Sequence, residues 1–273
     1  ETQPGRKRNM LLFFLLITPW IFKCCYCVMW GGDLYTYQRA KRNWRWQLTE
    51  ICRRFVIKRL GHLVSFVEGD VELARKWYGA TGQYHECIMY PSNVFQVQES
   101  GVHAHDGVIN IQVGNSASAS NNHLEVFDKL GKFRDKNISI FVPLSYGDRE
   151  YARLVIKTGV EKFGDKFHPL TALIPLEEYR SYLNKIDIAI FNHHRQQGMG
   201  NIITLLGLGK KVFMRDDVTQ WETFEKIGVK IYSISEVDLT PMDEEVRGSN
   251  QSKIKSNFSD KKLISGLSRI FYE

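Results

Sequence analysis

The residues with the clearest capacity for chemistry are residues 192–200, NHHRQQGMG, which stand between two apolar runs. Arg195 carries a fixed positive charge, and its fork of N–H groups matches a phosphate. Gly198 and Gly200 precede an apolar helical pattern, and the start of a helix attracts an anion that glycine allows to approach closely. Further hydrogen-bond donors to phosphate or sugar oxygens are His193, His194, Gln196 and Gln197. The stretch therefore predicts a cradle for a diphosphate.

Two other interpretations of this stretch fit the residues less well. A nicotinamide-dinucleotide fingerprint needs a third glycine where Ile203 stands, and no acidic residue follows at the distance that a ribose requires. His193 and His194 are adjacent, so their side chains point apart and do not suit one metal ion. Asp216 and Asp217 are adjacent and so do not form a D-x-D motif, the pattern that would indicate a metal-bridged diphosphate. We therefore predict a site that works without a metal or another cofactor.

A second polar segment, residues 113–123 with the sequence VGNSASASNNH, follows a predicted strand. Gly114 ends the strand, and Asn115 and Ser116 offer hydrogen-bond donors to a ligand. The Ser- and Asn-rich remainder, which includes Asn122, suits a helix cap equally well without any ligand.

Two shorter glycine-containing turns also follow apolar strands. Tyr146 and Gly147 lie in a turn that could contact a base or a ribose, or that could be an ordinary turn. Asp33 follows two glycines in WGGDLY. A carboxylate in that place could act as a general base towards a second substrate, or it could cap the next helix.

The elements that carry these turns alternate between strands and helices, which predicts an α/β fold with a parallel sheet. The strands predicted beyond residue 107 are residues 108–113, 138–142, 170–174, 186–191, 210–214 and 229–234. Their apolar character on both faces agrees with a sheet that helices cover on both sides. Ligands of such sheets bind beyond the carboxyl ends of the strands, where the polar turns follow.

The formal net charge of +7 is unevenly distributed along the chain. Residues 1–62 hold 12 Lys/Arg and 3 Asp/Glu, whereas the remainder holds 25 and 27. We therefore expect an anionic partner for the first quarter. Nucleic acid is not the expected partner, because no readout motif is present and the remainder is slightly acidic.

A basic amphipathic helix is predicted within residues 39–60, with Trp44 and Trp46 near its start. Such a helix suits an anionic membrane surface, while a solvated basic face of an ordinary helix is the alternative. The residues predicted to face the membrane or the acceptor are Arg53, Arg54, Lys58 and Arg59.

The apolar residues 10–22, MLLFFLLITPWIF, resemble a signal-peptide core but are too short to span a bilayer. No small-residue cleavage site follows, so we expect a buried helix followed by a strand. The five cysteines are odd in number and three of them lie within an apolar run, which indicates reduced thiols of a cytoplasmic protein. A polar stretch at residues 96–107 predicts a linker between a domain of residues 1–98 and a domain of residues 99–273.

Four motifs in a fixed order resemble a known family: WGGDLY, VGNSASASNNH, VPLSYG and RQQGMGNIITLLGLGKKVFMRDDVTQW. They are similar to motifs of the bacterial TDP-N-acetylfucosamine:lipid II N-acetylfucosaminyltransferases, glycosyltransferase family 56. The resemblance implies a GT-B-like fold, with two Rossmann-like halves that each contain a parallel sheet. The N-terminal half is expected to be incomplete, since the chain starts too late to hold every strand of that half. His193 and His194 are not explained by the family pattern.

The resemblance also implies a function. The enzyme would move a deoxyamino or fucose-type sugar from a nucleotide diphosphate similar to TDP-N-acetylfucosamine to an undecaprenyl-diphosphate-linked oligosaccharide. The product would belong to a surface glycan of the enterobacterial common antigen or O-antigen type. The protein would be peripheral, at the cytoplasmic face of the bacterial inner membrane.

The roles implied for single residues follow the same motifs. Arg195 would stabilise the leaving diphosphate, and Asp33 would be the base on the acceptor side. The residues expected to bind the nucleotide-sugar are Gly114, Asn115, Ser116, Asn122, His123, Tyr146, Gly147, His193, His194, Gln196, Gln197, Gly198 and Gly200. The alternative function is a non-catalytic module that binds a nucleotide-sugar through the same loops.

Overall fold

A computed structural model describes residues 4–38, 43–96 and 107–272 of the chain. The chain divides into two compact units, and the division differs from the predicted boundary at residues 98 and 99. Unit 1 comprises Glu1–Pro91 together with Lys261–Glu273, and unit 2 comprises Ser92–Asp260. The C-terminal residues return to the first unit, which a linear reading of the sequence does not anticipate. Most of the predicted linker, residues 97–106, lies outside the described residues.

The bounds of the elements are as follows. The described strands are β1 (Tyr26–Val28), β2 (His62–Ser65), β3 (Gln83–Glu86), β4 (Ile109–Val113), β5 (Ile138–Pro143), β6 (Phe167–Leu170), β7 (Ile188–Phe191), β8 (Lys211–Met214) and β9 (Tyr232–Ser233). The described α-helices are α1 (Pro4–Ile17), α2 (Gly31–Leu34), α3 (Trp44–Arg59), α4 (Glu68–Tyr78), α5 (His123–Leu130), α6 (Arg149–Phe163), α7 (Leu176–Lys185), α8 (Met199–Gly207), α9 (Thr219–Lys226), α10 (Glu244–Asn257) and α11 (Asp260–Tyr272).

Unit 1 contains a parallel sheet in the order β1-β2-β3. Leu63 of the central strand is completely buried and packs in one cluster with Val71 and Ala74, which lie on one face of α4. Tyr78 ends that helix, and its hydroxyl donates to the Leu34 carbonyl at 2.9 Å. Burial raises the pKa of Tyr78 to about 12, so this hydroxyl stays protonated and keeps α2 attached to α4.

The first helix differs from its prediction in one respect. The apolar segment is helical up to Ile17, as expected, but it is not buried. Leu12, Leu15 and Leu16 pack in a cluster with Phe22, Val56 and Leu60. By contrast, Met10 and Phe13 stay 68% and 64% exposed. A helix that is apolar on every side can cover only one side against a single neighbouring helix, so the remaining side stays open. Among the described residues, no helix is long and apolar enough to cross a membrane.

Unit 2 contains a six-stranded parallel sheet in the order β6-β5-β4-β7-β8-β9. Its strands run through the core, and Ile111, Ile140, Ile190 and Phe213 are completely buried. Counted along the chain within this unit, the order is 3-2-1-4-5-6, the classic order of a doubly wound nucleotide-binding fold. The prediction of an α/β fold with parallel sheets is confirmed.

One predicted strand is displaced. The sequence predicts the third strand of this sheet at residues 170–174, but the strand is β6, Phe167–Leu170. Phe167 pairs in register with Ile140, and its ring packs against Phe127 at a centroid distance of 5.6 Å. Leu173, within the predicted strand, is 79% exposed. The apolar run at residues 170–174 therefore does not mark the strand, because burial of the Phe167 ring decides where the strand pairs.

The close packing of β6 against α6 generates a prediction for Gly159. A methyl group added at this position would lie 2.2 Å from the Phe167 ring, so Gly159→Ala should overpack the core. We expect a loss of about 1–3 kcal/mol in the free energy of unfolding, which exceeds the roughly 1 kcal/mol that alanine gains over glycine in a helix. Urea unfolding followed by circular dichroism measures the change.

Gly248 in α10 supplies the matched control. A methyl group there meets no atom within 4 Å, so Gly248→Ala should stabilise the protein by up to about 1 kcal/mol through helix propensity alone. Equal effects of the two substitutions would contradict the packing argument.

Candidate functional site

The candidate site lies where the strand order of unit 2 reverses, between β4 and β7. These strands are adjacent and parallel, and both end towards the same edge of the sheet. The loop after β4 begins at Gly114 and the loop after β7 begins at Asn192, so the two polar segments singled out in the sequence are neighbours. Crevices at such a reversal are where open α/β sheets bind ligands.

Gln197 connects the two loops. Its amide Nε2 donates to the side-chain oxygen of Asn115 at 3.1 Å, and its Oε1 accepts from the Ser120 hydroxyl at 2.6 Å. Its backbone N–H donates to Gln220 Oε1 at 3.1 Å, which attaches the loop to α9. These contacts fix the loop ahead of α8, and the predicted binding of the nucleotide-sugar by Gln197 stays a prediction.

His193 makes a second connection from a completely buried position. Its Nε2 lies 2.7 Å from Asn121 Oδ1, which also accepts from the Asn115 backbone N–H at 3.1 Å. The Asn121 Nδ2 donates to the Ser116 carbonyl at 3.0 Å, so Oδ1 is the acceptor and His193 carries its proton on Nε2. Burial lowers the pKa of His193 to about 3, so the ring is neutral at pH 7. The structure thus gives His193 a positioning role inside the protein.

His123 is the other buried histidine of the site. It begins α5, and its ring packs near Tyr151, whose hydroxyl lies 3.3 Å from Nδ1. Burial lowers the pKa of His123 to about 4. A Cβ at Gly114 would lie 2.7 Å from both His123 Nε2 and Asn121 Oδ1, and φ of Gly114 is +67°. Glycine is required there by the protein's own side chains.

The start of α8 is the part of the site best suited to an anion. Gly198 caps this nine-residue helix with φ of +68°, and no side chain caps it. The first N–H groups of a helix have no partner within the helix, and its dipole favours negative charge at this end. Arg195 stands three residues ahead, half-buried, with Nη1 donating to the Gln196 carbonyl at 3.2 Å. A guanidinium and a helix start lie within one short loop.

The remaining predicted residues divide between exposed and packed positions. His194 and Tyr146 are exposed, and the Tyr146 hydroxyl accepts from Asn115 Nδ2 at 3.0 Å. Asn122 donates to the Asn192 carbonyl at 2.7 Å. At Gly147 and Gly200 an added Cβ would meet the backbone carbonyls of Ala117 at 2.5 Å and Ser92 at 2.7 Å. These glycines allow chain segments to pass closely, and the predicted contacts of Gly147 with a base or ribose and of Gly200 with a phosphate stay predictions.

The structure also brings to the site residues for which the sequence pattern predicted no role. Five buried side-chain polar atoms have no hydrogen-bond partner among the described residues, and only Arg247 Nε lies elsewhere. The other four are His123 Nε2, Asn192 Nδ2, His193 Nδ1 and Gln220 Nε2. Unpaired buried polar atoms are costly and rare, so a cluster of them indicates a functional site. Asn192 lies in the stretch of residues 192–200 but was assigned no role, and Gln220 was not singled out.

Arg215 is a further cation at this edge of the sheet. It follows β8, forms an ion pair with Asp217, and lies 3.5 Å from Asn192 Oδ1 through Nη1. The hydrogen bond with Asp217 is the largest cause that raises the pKa of Arg215 and lowers that of Asp217. The sequence analysis considered only the two aspartates of this RDD sequence, and no role was predicted for Arg215.

The predicted residues of unit 1 have different outcomes. Asp33 belongs to α2, but its side chain lies outside the described part, so its role as a base stays a prediction. Arg53 is engaged inside the unit, since it pairs with Glu50 at 2.8 Å and its guanidinium lies over the Tyr78 ring. Its side chain thus contributes to the packing of unit 1, and its contact with a membrane or an acceptor stays a prediction. Lys58 and Arg59 are exposed, and Arg54 is partly exposed above the Tyr37 ring.

In the described ranges, no group of three or more His, Cys, Asp or Glu side chains is arranged to hold a metal ion.

The architecture is the GT-B fold, which solved structures of several glycosyltransferases share. WaaG, a glycosyltransferase involved in lipopolysaccharide biosynthesis, aligns with a TM-score of 0.59 and 11% identity over 91% of this chain and 75% of its own. HepE of Anabaena, solved with UDP and glucose, aligns with a TM-score of 0.64 and 10% identity over 90% of this chain and 69% of its own. Sucrose-phosphate synthase of Thermosynechococcus elongatus aligns with a TM-score of 0.66 and 10% identity over 90% of this chain and 66% of its own. At such identities the likeness shows the fold.

The family is narrower than the fold. A model of the family described as 4-alpha-L-fucosyltransferase, glycosyl transferase group 56, matches residues 6–254. The chain belongs to this family of glycosyltransferases, and the resemblance found in the four sequence motifs is confirmed.

The two buried histidines generate a prediction about pH. In the folded protein they stay neutral down to about pH 4 for His123 and about pH 3 for His193, whereas in the unfolded chain they take up protons below about 6.5. Their contribution to stability is therefore complete above pH 6.5. It should fall as the pH drops towards 4, by about 1.4 kcal/mol per pH unit for each histidine.

Urea unfolding between pH 7.5 and 5 measures this slope. Replacement of His193 by Asn should make the dependence shallower, because one proton fewer is taken up on unfolding. His194→Asn, at the exposed neighbouring position, is the matched control. A slope that is equal in both variants would show that burial of His193 does not govern the acid response.

Proposed function

We propose that this protein transfers a deoxyamino or fucose-type sugar from a nucleotide diphosphate to a lipid-linked oligosaccharide. The observation that carries the proposal is the combination of Arg195 with the Gly198-capped start of α8, at the strand reversal of unit 2. Membership of a fucosyltransferase family supports the reaction class and the type of sugar.

The chemistry places its largest demand on the leaving diphosphate. Negative charge grows on the diphosphate oxygen as the bond to the sugar carbon breaks, and fixed donors stabilise that charge best. A guanidinium and helix N–H groups supply this stabilisation without a metal ion. The interlocked side chains of Gln197, His193 and Asn121 hold the loop, so these donors do not have to reorganise during the reaction.

The nucleotide-sugar would contact the outer rim of the same loops. Tyr146 is exposed and accepts a hydrogen bond from the buried Asn115, so its ring and hydroxyl suit a base, ribose or sugar hydroxyl. The amides of Asn192 and Gln220 each have an N–H group without a protein partner and are additional candidates. A nucleotide similar to TDP-N-acetylfucosamine stays our proposal for the donor, with support from the family.

The acceptor side is proposed for unit 1. An undecaprenyl-diphosphate-linked glycan of a surface polysaccharide would place the enzyme at the cytoplasmic face of the bacterial inner membrane. The excess of basic residues in the first quarter and the outward Lys58 and Arg59 of α3 support an anionic surface there. Asp33 remains the proposed base that accepts the proton of the attacking hydroxyl.

The test is an Arg195→Ala substitution assayed with a panel of nucleotide-sugars and an undecaprenyl-diphosphate-linked acceptor. We expect kcat to fall or KM for the nucleotide-sugar to rise by about tenfold or more, because the charge on the leaving group loses its partner. Arg153→Ala, which removes an exposed arginine of α6, is the matched control and should leave the kinetics unchanged.

Thermal shift with the same panel separates the two functions that the sequence left open. Stabilisation by a nucleotide-sugar together with sugar transfer supports the enzyme. Stabilisation without transfer or hydrolysis, in the presence of the acceptor, would instead establish a binding module. Unchanged kinetics in Arg195→Ala would remove this arginine from the site.

A further inference from the structure

The first helix exposes an apolar surface that the fold of unit 1 does not use. Of the α1 side chains that the structure describes, those of residues 10–17, three pack against the cluster around Phe22: Leu12, Leu15 and Leu16. The outward side chains are large and apolar, with exposed fractions between 51% and 68%: Met10, Leu11, Phe13, Phe14 and Ile17. Water-facing aromatic and aliphatic groups on two successive turns are unusual in a helix that only supports a core.

The third helix extends this surface. Leu48, Ile51 and Phe55 recur at helical spacing and are 58%, 64% and 41% exposed. Phe55 contacts Phe22 edge to face at a centroid distance of 6.3 Å, while Val56 and Leu60 belong to the cluster that holds α1. The exposed stripe of α3 therefore borders the packing between α1 and α3. We name α1 together with Leu48, Ile51 and Phe55 the α1–α3 apolar face.

The surroundings of the α1–α3 apolar face indicate what covers it. Trp20 and Trp44 are 73% and 69% exposed, and tryptophan is the side chain that prefers the boundary between lipid headgroups and acyl chains. Lys23, Lys58 and Arg59 are exposed nearby in sequence, and the Arg59 guanidinium lies 3.8 Å from the centre of the Phe55 ring. Apolar side chains next to cations complement an anionic lipid surface.

Acidic side chains are lacking in the same elements. Residues 4–24 contain no Asp or Glu, and α3 contains one, Glu50. Glu50 is buried and forms ion pairs with Arg53 and Arg54, so it adds no outward negative charge. Nothing on these described helices would therefore repel an anionic headgroup. The helix α1 has 14 residues and a length of about 21 Å, too short to cross a bilayer of about 30 Å, so it would lie in the interface.

We propose that the α1–α3 apolar face inserts into the interfacial layer of an anionic membrane, with α1 as the principal anchor and the cations of α3 as a secondary contribution. The proposal deepens the membrane attachment suggested for the proposed function. It replaces attachment by charge alone with attachment by inserted apolar side chains. It rests on the contacts of unit 1 and does not require that the sugar transfer be correct.

Vesicle flotation with the whole chain tests the proposal, with phosphatidylcholine vesicles that contain or lack phosphatidylglycerol. The apolar variant is Phe13→Gln with Phe14→Gln and Ile17→Gln, and the charge variant is Lys58→Gln with Arg59→Gln. The matched control replaces two exposed apolar residues of unit 2, Leu154→Gln with Val160→Gln. Circular dichroism and the thermal midpoint establish that each variant folds.

We expect the apolar variant to lose at least tenfold in partitioning to anionic vesicles at both low and high salt, because insertion does not depend on screening. The charge variant should lose affinity at low salt only, and the control should bind as the wild type does. Retained binding in the apolar variant would overturn the proposal, as would binding of the wild type that high salt abolishes.

Tryptophan quenching by brominated lipid gives a second, independent measurement. Emission should be quenched in the wild type, and Trp20→Phe should reduce the quenched fraction. Quenching that is absent, in protein that floats with vesicles, would show attachment without insertion and would contradict the proposal. Analytical ultracentrifugation tests the other occupant, a second copy of the chain. If the wild type forms a dimer and does not bind vesicles, and the apolar variant is a monomer, the face is assigned to self-association.

The failure of the proposed function would be recognised separately. If no nucleotide-sugar stabilises the protein and no sugar is transferred, the enzymatic proposal fails while the flotation result still decides the membrane anchor. If transfer to a water-soluble acceptor analogue persists in the apolar variant while flotation is lost, both proposals are supported.

Discussion

The adjacency of β4 and β7 is the constraint on which the site of unit 2 depends. Their parallel pairing brings Gly114 and Asn192 to one edge, although 78 residues separate them in the chain. Two side-chain links, from His193 to Asn121 and from Gln197 to Asn115, then lock the loops together at 2.7 and 3.1 Å. Without this lock, Arg195 and the start of α8 would belong to a polar loop of undefined shape, with its amides satisfied by water. With it, they form a fixed arrangement of positive groups.

The lock is costly for the protein, which is informative about function. A neutral histidine in a dry position gives up the solvation of its ring, and His193 Nδ1 has no protein partner. An unpaired buried polar atom costs about 1–3 kcal/mol, so several in one place are a substantial burden on a marginally stable fold. A structure retains such groups where they orient a ligand-binding loop. The same reasoning explains why the two histidines that the family pattern left unexplained behave differently: one supports the loop and its neighbour faces solvent.

In unit 1, the basic residues of α3 are divided between the interior and the surface. Glu50, Arg53 and Tyr78 form a charged and aromatic cluster that ties α3 to α4, so one basic residue of α3 serves the fold. Lys58 and Arg59 of the same helix remain outside. Because a helix presents successive residues about 100° apart, one short basic run distributes its charges between the interior and the surface. The apolar side chains of α1 are divided in the same way between a packed and an exposed side, which gives the unit both a core contact and a surface of its own.

The sequence determined the fold class, the order of elements and the family, because apolar periodicity and the four motifs are local patterns that can be recognised in the sequence alone. It also located the loops that meet at the sheet edge, since the carboxyl ends of parallel strands must share an edge. It could not decide which residues within those loops face a ligand. A Cβ at Gly114, Gly147 or Gly200 would come within 2.7 Å of the protein's own atoms, and one at Gly198 would lie 3.1 Å from His193, so the glycines are explained by packing as well as by a ligand. Likewise, the position of β6, the return of α11 to unit 1 and the exposure of α1 depend on how side chains from distant segments pack. Burial is a property of the neighbours that a residue acquires, and only the tertiary structure assigns them.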